Sequence, residues 1–124
     1  MDVYEAVVRY QIKSWQLGAA SYCIQINGQD ADDKLLRKLK PFPVKPASDC
    51  LQRKDKSGMT VVDKHSKKKS VLFGAGSIVW RSETQADVSG SYLCGSQCMS
   101  GGVYHVAWDG SHWQVTKFDI YISG

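Results

Sequence analysis

The dipeptide Asp109-Gly110 sits between two short runs of β-forming residues, Val103–Trp108 and Ser111–Thr116. An Asp-Gly pair flanked by alternating apolar residues is among the strongest local signals for a β-hairpin. A type I′ turn there would set Trp108 opposite Ser111, Val106 opposite Trp113 and Tyr104 opposite Val115. Tyr104, Val106, Trp113 and Val115 would then share one face as cross-strand pairs, leaving His105, Ala107, His112, Gln114 and Thr116 on the other.

The same two-residue period runs upstream. Ala86, Val88 and Tyr92 alternate with Asp87, Ser89 and Ser91, the pattern of a half-buried strand. Val71 to Arg81 is rich in β-formers, with Gly74 and Gly76 marking a bulge or bend, and Ser82–Thr84 turns the chain. Gly95 to Gly102 reads as a Gly/Ser-rich loop, and Met59 to Asp63 as a short strand. From about Val71 to Ile122 the sequence predicts a run of antiparallel strands.

The first half differs. Asp2 with Glu5 reads as an N-cap and its capping-box partner. Val3, Val7 and Tyr10, widened by Tyr4, Val8, Ile12 and Trp15, form an apolar helical face from about Val3 to Lys13, with Gly18 as a stop. Ala20–Ile26 reads as a strand closed by the turn pair Asn27-Gly28. Asp30 reads as the N-cap of a second, short helix with a Leu35, Leu36, Leu39 stripe, ended by Pro41. Phe42 to Gly58, with Pro43 and Pro46, reads as a surface loop. The fold class expected is α+β: a curved antiparallel sheet of about five to six strands with the N-terminal helix packed on one face and a second short helix.

At 124 residues the chain fits one domain. No apolar run approaches the ~18 residues of a membrane helix, and the N-terminus lacks the basic and apolar regions of a secretory signal. A cytoplasmic location and no membrane partner are expected.

Several short pieces together carry a family likeness. They are Glu5-Ala6-Val7-Val8-Arg9-Tyr10-Gln11, Tyr22-Cys23-Ile24, Asn27-Gly28-Gln29-Asp30, Pro43-Val44-Lys45-Pro46, Gly76-Ser77-Ile78-Val79-Trp80, Ser82-Glu83-Thr84, Gly90-Ser91-Tyr92, Tyr104-His105-Val106, Trp113-Gln114-Val115 and Ile122-Ser123. With them the chain resembles a family of small bacterial domains of unknown function, some carried on mobile gene cassettes. The resemblance implies a helix-on-sheet fold similar to cystatins and nuclear transport factor 2-like domains. It brings no catalytic motif. Lys117-Phe118-Asp119-Ile120-Tyr121 departs from the family pattern, which usually has a tryptophan before the final Ile-Ser.

Four groups of residues are candidates for chemistry. Cys94 and Cys98 have C-x3-C spacing, unlike the C-x-x-C of redox proteins and zinc knuckles. They read as a loop-closing disulfide or redox pair, or as reduced thiols, the ordinary state in a cytosolic chain. Nothing in the sequence places Cys23 near Cys50. Twelve of the sixteen Lys and Arg residues lie from Lys34 to Lys69. Within that stretch Lys54, Lys56, Lys64, Lys67, Lys68 and Lys69 form a candidate phosphate-binding patch. Phe42 is the sole ring in the stretch, and single-strand binders need rings for stacking. A solvated turn and loop is therefore the favoured reading, and nucleic acid is not the expected partner.

His105 and His112, as diagonal neighbours about 7 Å apart, lack the third ligand of a metal site. With Gln114 and Thr116 they instead mark a sheet face suited to interaction. Tyr4, Tyr10, Trp15, Trp80, Tyr92, Tyr104, Trp108 and Trp113 either line a pocket between helix and sheet or make the core. In the pocket reading Asp87 or Asp119 would serve as a base. No catalytic, metal or cofactor site is assigned. The leading expectation is a non-enzymatic binding or interaction module, self-associating as a homodimer, with an unidentified protein or small molecule as further partner. The alternative is a nuclear transport factor 2-like ligand binder or enzyme.

Overall fold

The computed structural model describes residues 2–56 and 58–123. Helix α1, Val3–Ser14, begins where Asp2 accepts a hydrogen bond from the Glu5 N–H. The reciprocal arm of a capping box is not made: Glu5 instead pairs with Arg9 one turn on, at 3.0 Å. Strand β1, Ser21–Ile26, turns at Asn27-Gly28, both at positive φ, into the two-residue β2, Gln29–Asp30. Asp30 does not cap the second helix, because it binds the N–H and hydroxyl of Ser48. Asp32 caps α2, Asp33–Lys38, in its place.

The expected loop over 42–58 is largely strand. It contains β3, Val44–Pro46, a 3-10 turn, Ala47–Asp49, and β4, Cys50–Asp55, which pairs with β5, Gly58–Asp63. After its first residue every position of β4 is exposed, so no buried face imposes an alternation that a sequence could reveal. The long strands follow: β6, Ser70–Ser82; β7, Gln85–Gly95; β8, Cys98–Trp108; and β9, Trp113–Ser123. The Gly/Ser segment expected as a loop belongs to the β7–β8 hairpin, and only its tip turns. Two of its glycines face Gly90 and Ser91 across the ladder, and small residues there let the backbones pair beneath large rings.

The expected α+β fold of five to six antiparallel strands, of the cystatin-like or nuclear transport factor 2-like kind, is not what forms. Among the described residues strand makes up 57% and helix 18%, with nine strands in one open mixed sheet and two helices. The sheet is mixed because β1 runs parallel to both β3 and β6. From β6 onward it is an antiparallel meander, β6-β7-β8-β9, with β4–β5 joined near the far end of β7. No helix among the described residues is long and apolar enough to cross a membrane.

Both helices pack on one face of this sheet, here the inner face. Val8 and Ile12 of α1 and Leu35 of α2 meet Tyr22, Ile24, Val71 and Phe73. Val3 and Val7 meet Ala75, Ala86, Val88, Tyr104 and Val106. Gln11 locks helix to sheet from within the core, its Nε2 donating to the carbonyls of Gly74 and Ser91 and to the Tyr104 hydroxyl. Gly90 makes room for the Tyr104 ring, since a Cβ there would sit 2.6 Å from Tyr104 Cε2.

The last hairpin keeps the expected faces but not the expected register. Trp108 pairs with Trp113 and Val106 with Val115, so the loop is four residues, Asp109–His112, rather than two. Asp109 explains the longer loop, as one carboxylate oxygen accepts the N–H groups of both Ser111 and His112. The slip is two residues, and a slip of two leaves each side chain on its own face.

Candidate functional site

The opposite, outer face of β6–β9 carries no packed layer among the described residues. Val79 is 52% exposed and Tyr121 73% exposed on it. Three adjoining hollows run along this face. The first, of about 350 Å³, has Gly74, Gly76, Ser89, Ser91 and Gly101 in its floor and Tyr121 at its side. The next is lined by Ser77, Val79, Asp87, Val103 and His105. The third, toward the hairpin tips, lies among Arg81, Gln85, Asp87, His105, Ala107 and Thr116.

The bare floor is not forced by the fold at every point. A Cβ on Gly101 would meet nothing closer than 3.7 Å, an ordinary contact. Gly102, beside it, faces the other way and has no such freedom, because a Cβ there would lie 2.0 Å from the Asp119 carbonyl oxygen.

His105 stands in the middle of a charged row. Its Nδ1 lies 2.7 Å from Asp87 Oδ1 and its Nε2 2.8 Å from Asp119 Oδ2. Arg81 reaches Asp87 at 2.6 Å and Lys117 reaches Asp119 at 3.5 Å. Alternation on β7 and β8 puts Asp87 and His105 side by side, paired across the ladder. Asp119 joins them because Thr116 is an extra residue in β9, a bulge that carries Lys117 opposite His105. Thr116 is held there by donating to the His105 carbonyl at 3.2 Å.

The hydrogen bond to Asp119, then that to Asp87, holds the His105 pKa above the ordinary histidine value. Asp119 is lowered chiefly by His105. Partial burial pushes Asp87 up, but hydrogen bonds from His105 and Arg81 outweigh it and leave the carboxyl lowered. An imidazolium donating from both nitrogens has no lone pair for a metal or for taking a proton. In that protonated form the row presents alternating charge, Arg81, Asp87, His105, Asp119 and Lys117 in turn.

The raised His105 pKa has a definite sign for stability. Its contribution is complete below the free-histidine value of about 6.5 and is lost as pH climbs through the higher folded-state value. The lowered aspartates act at the other end, contributing above about 3.9 and losing their effect as pH falls through their folded-state values. In an NMR titration the His105 ring protons are expected to show a midpoint above 6.5, and Asp119→Asn to bring it back toward that value. A wild-type midpoint at or below the free value would contradict the geometry.

The structure scatters several residues that the sequence grouped. His112 is not on the sheet face but in the hairpin loop, 3.3 Å from Asp109; the longer loop removes it from His105. Gln114 is turned to Asp109 and His112 at the same end. Asp87 and Asp119 lie on the face away from the helices, so neither can serve as a base between helix and sheet. Tyr4, Tyr10, Trp15, Tyr92 and Tyr104 belong to the packed core. Their rings meet one another and Phe118, with Tyr104 stacked on Phe118 at 4.4 Å and Trp15 5.1 Å from Tyr92. Trp113 packs on the edge of the same core and meets the exposed Trp80 and Trp108 near the hairpin tips, with centroids 5.6 and 5.8 Å away.

The basic patch divides in two. Lys54 and Lys56 lie at the free end of the β4–β5 hairpin, and Lys64, Lys67, Lys68 and Lys69 at the β5–β6 turn. The six residues of β5 separate them, roughly 20 Å at the rise of a strand. Cys94 is bonded to Cys98, and Cys23 to Cys50, whose Cα atoms are 6.2 Å apart. No cysteine among the described residues is free.

Arg81, Lys117 and Tyr121 were not singled out by sequence reasoning. Alternation carries Arg81 to the outer face with Val79, and that signal was available; Tyr121 and Lys117 depend on the β9 bulges, which no residue pattern announces. Compared with family models, with curated proteins and with solved structures, the chain gives no significant match.

Proposed function

We propose that the chain is a non-enzymatic binding module and that it binds through the outer face of its sheet. The observation that carries this reading is that no packed layer covers the face over its long strands among the described residues, with a floor of glycine and serine at one end and a row of alternating charge at the other. His105 is held at both nitrogens by carboxylates, which fixes the row in place as part of a binding surface. The ligand expected is small or extended and polar, matching serine hydroxyls, backbone amides and one exposed tyrosine ring. Membership in the family of small bacterial domains is part of this proposal and brings no activity with it. The two cysteine pairs favour an oxidising compartment over the cytoplasm.

The test is amide chemical-shift mapping against a panel of saccharides and short polar peptides, with a Gly101→Val variant alongside. Binding is expected to move Ser89, Gly101, Val103 and Tyr121. The variant should fold, because a side chain has room there, and lose those shifts. Shifts confined to the lysine turn, or unchanged binding by the variant, would overturn the reading.

A further inference from the structure

Among the described residues the sheet ends on one side at β9, which pairs only with β8. Its other edge is a row of unsatisfied backbone donors and acceptors eleven residues long. Natural proteins normally blunt such an edge with charge, proline or a bulge, because it invites another strand. Strand β4, the outer edge of the hairpin joined to the end of β7, is blunted: it carries Arg53 and Lys54 next to one another. The β9 edge carries no proline, and its charges, Lys117 and Asp119, are of opposite sign and flank Phe118 symmetrically.

We propose that β9 is a self-pairing edge, joining two copies of this chain antiparallel about a two-fold axis at Phe118 so that Lys117 of each faces Asp119 of the other. Phe118 is also the midpoint of Trp113–Ser123, so this register is centred on the strand. An isologous contact of this kind closes at two copies and does not propagate. Between the two β9 bulges, at Thr116 and Tyr121, the stretch Lys117–Ile120 pairs regularly with β8 and is the part shaped to accept a second strand.

The side chains fit the same arrangement. Lys117 and Asp119 share the outer face, and opposite charges directly across an antiparallel pair are favourable while like charges are not. Lys117 is 70% exposed on the side chain and lies 3.5 Å from its own Asp119, so pairing would build a square of four alternating charges between the two His105 rings. On the inner face Phe118 would meet its own counterpart, and Ile120, 58% exposed, would be covered. About Arg53 or Lys54, a pairing of one β4 edge with another would set that residue against its own like charge, whereas the β9 register about Phe118 sets opposite charges together.

The interface lies at the edge of the sheet and leaves the outer-face hollows open, so it stands independently of the proposed binding role. Sedimentation equilibrium of the full chain tests it. The 13.8 kDa chain is expected to move toward twice that mass as concentration rises. Asp119→Lys and Lys117→Glu, each alone, place like charges opposite one another twice per dimer and are expected to weaken association by at least about tenfold. The double swap, and an equimolar mixture of the two single variants, should each restore it. Circular dichroism melting of every variant separates lost association from lost folding, and both the single Asp119 variant and the double swap lack the His105–Asp119 bond, so rescue cannot come from it. A wild-type chain that stays monomeric, a dimer indifferent to the single reversals, or a double swap that fails to restore association would each overturn the proposal. Mapped ligand shifts on the outer face can succeed or fail whichever of these is found.

Discussion

Replacing Tyr104 with alanine is expected to cost about 4 kcal/mol of folding stability, the usual toll of deleting a large buried ring. The ring is fully buried and joins three elements. It stacks on Phe118 of β9 and meets Tyr10 of α1 edge-on, with centroids 5.8 Å apart. Its hydroxyl accepts from Gln11, the residue that ties α1 to the Gly74 and Ser91 carbonyls. Burial pushes the phenol well above its ordinary pKa, so it stays neutral. Truncation would open a cavity where Gly90 already lacks a side chain to fill it. Against a total stability of roughly 5–15 kcal/mol for a domain, the variant should be partly unfolded at 37 °C. Tyr104→Phe keeps the ring and gives up one hydrogen bond, a loss of about 1 kcal/mol. Urea unfolding should place the three proteins in that order. An alanine variant within 1 kcal/mol of the wild type, on the scale set by that hydrogen bond, would show that Tyr104 is not the centre of the core.

Removing the Cys23–Cys50 bond is expected to have the next largest effect. The two residues are 27 apart in sequence, and in the chain-entropy account a loop of that length is worth about 3.5 kcal/mol. Cys94–Cys98 closes a loop with a separation of 4, which the same relation values at about 2 kcal/mol. The difference is also local. Beyond the disulfide, the β4–β5 hairpin is joined to the long strands by the Thr60–Gly95 pair, the Val62–Lys69 bridge and few other links. Nearby, Lys45 pairs with the buried Asp63, whose carboxyl also accepts from His65 and Ser66 and is held well below the usual range, Lys45 first among the causes. In the Cys23→Ala/Cys50→Ala variant, hydrogen exchange should quicken first in β4 and β5, while β6–β8 exchange only with global unfolding. Equal destabilisation by loss of either disulfide, or uniform exchange along the chain, would contradict this assignment.

How much of this could be read from residues alone depended on whether burial left a pattern. Helix α1 was legible because Asp2 caps it and Val3, Val7 and Val8 all face the core. The inner face of the last hairpin was legible as well, since Tyr104 and Val106 are buried and the half-buried Val115 packs against them, and it stayed so despite a loop two residues longer than Asp109-Gly110 suggested. Strand β4 was not legible: Leu51 to Asp55 is solvent-exposed, so pairing with β5 rather than burial makes it a strand. The parallel contact between β1 and β6 was hidden for another reason. Nothing in Ser21–Ile26 says which distant strand it will lie beside, and the antiparallel expectation followed from hairpins that are local.

The charge row shows the same limit within a site. Asp87 and His105 are direct partners in the ladder, and correct alternation on both strands would have brought them together. Asp119 needed the bulge at Thr116, and without it the unbroken alternation of β9 would have turned Asp119 toward the helices. Which of the aromatic residues pack was not legible: Tyr104 is fully buried and Trp113 joins the edge of the core, while Trp80 and Trp108 are left exposed at the tips.

The central claim is that this sheet has one face closed by helices and one face open for binding. Solvent relaxation by a soluble gadolinium chelate, read on valine methyl groups, tests it most directly. Strong relaxation is predicted at Val79 and Val103 on the outer face, with Val7, Val88 and Val106 protected on the inner one. Protection of Val79 and Val103 to the same degree as Val88, at every protein concentration, would mean that the outer face is covered and would contradict the account.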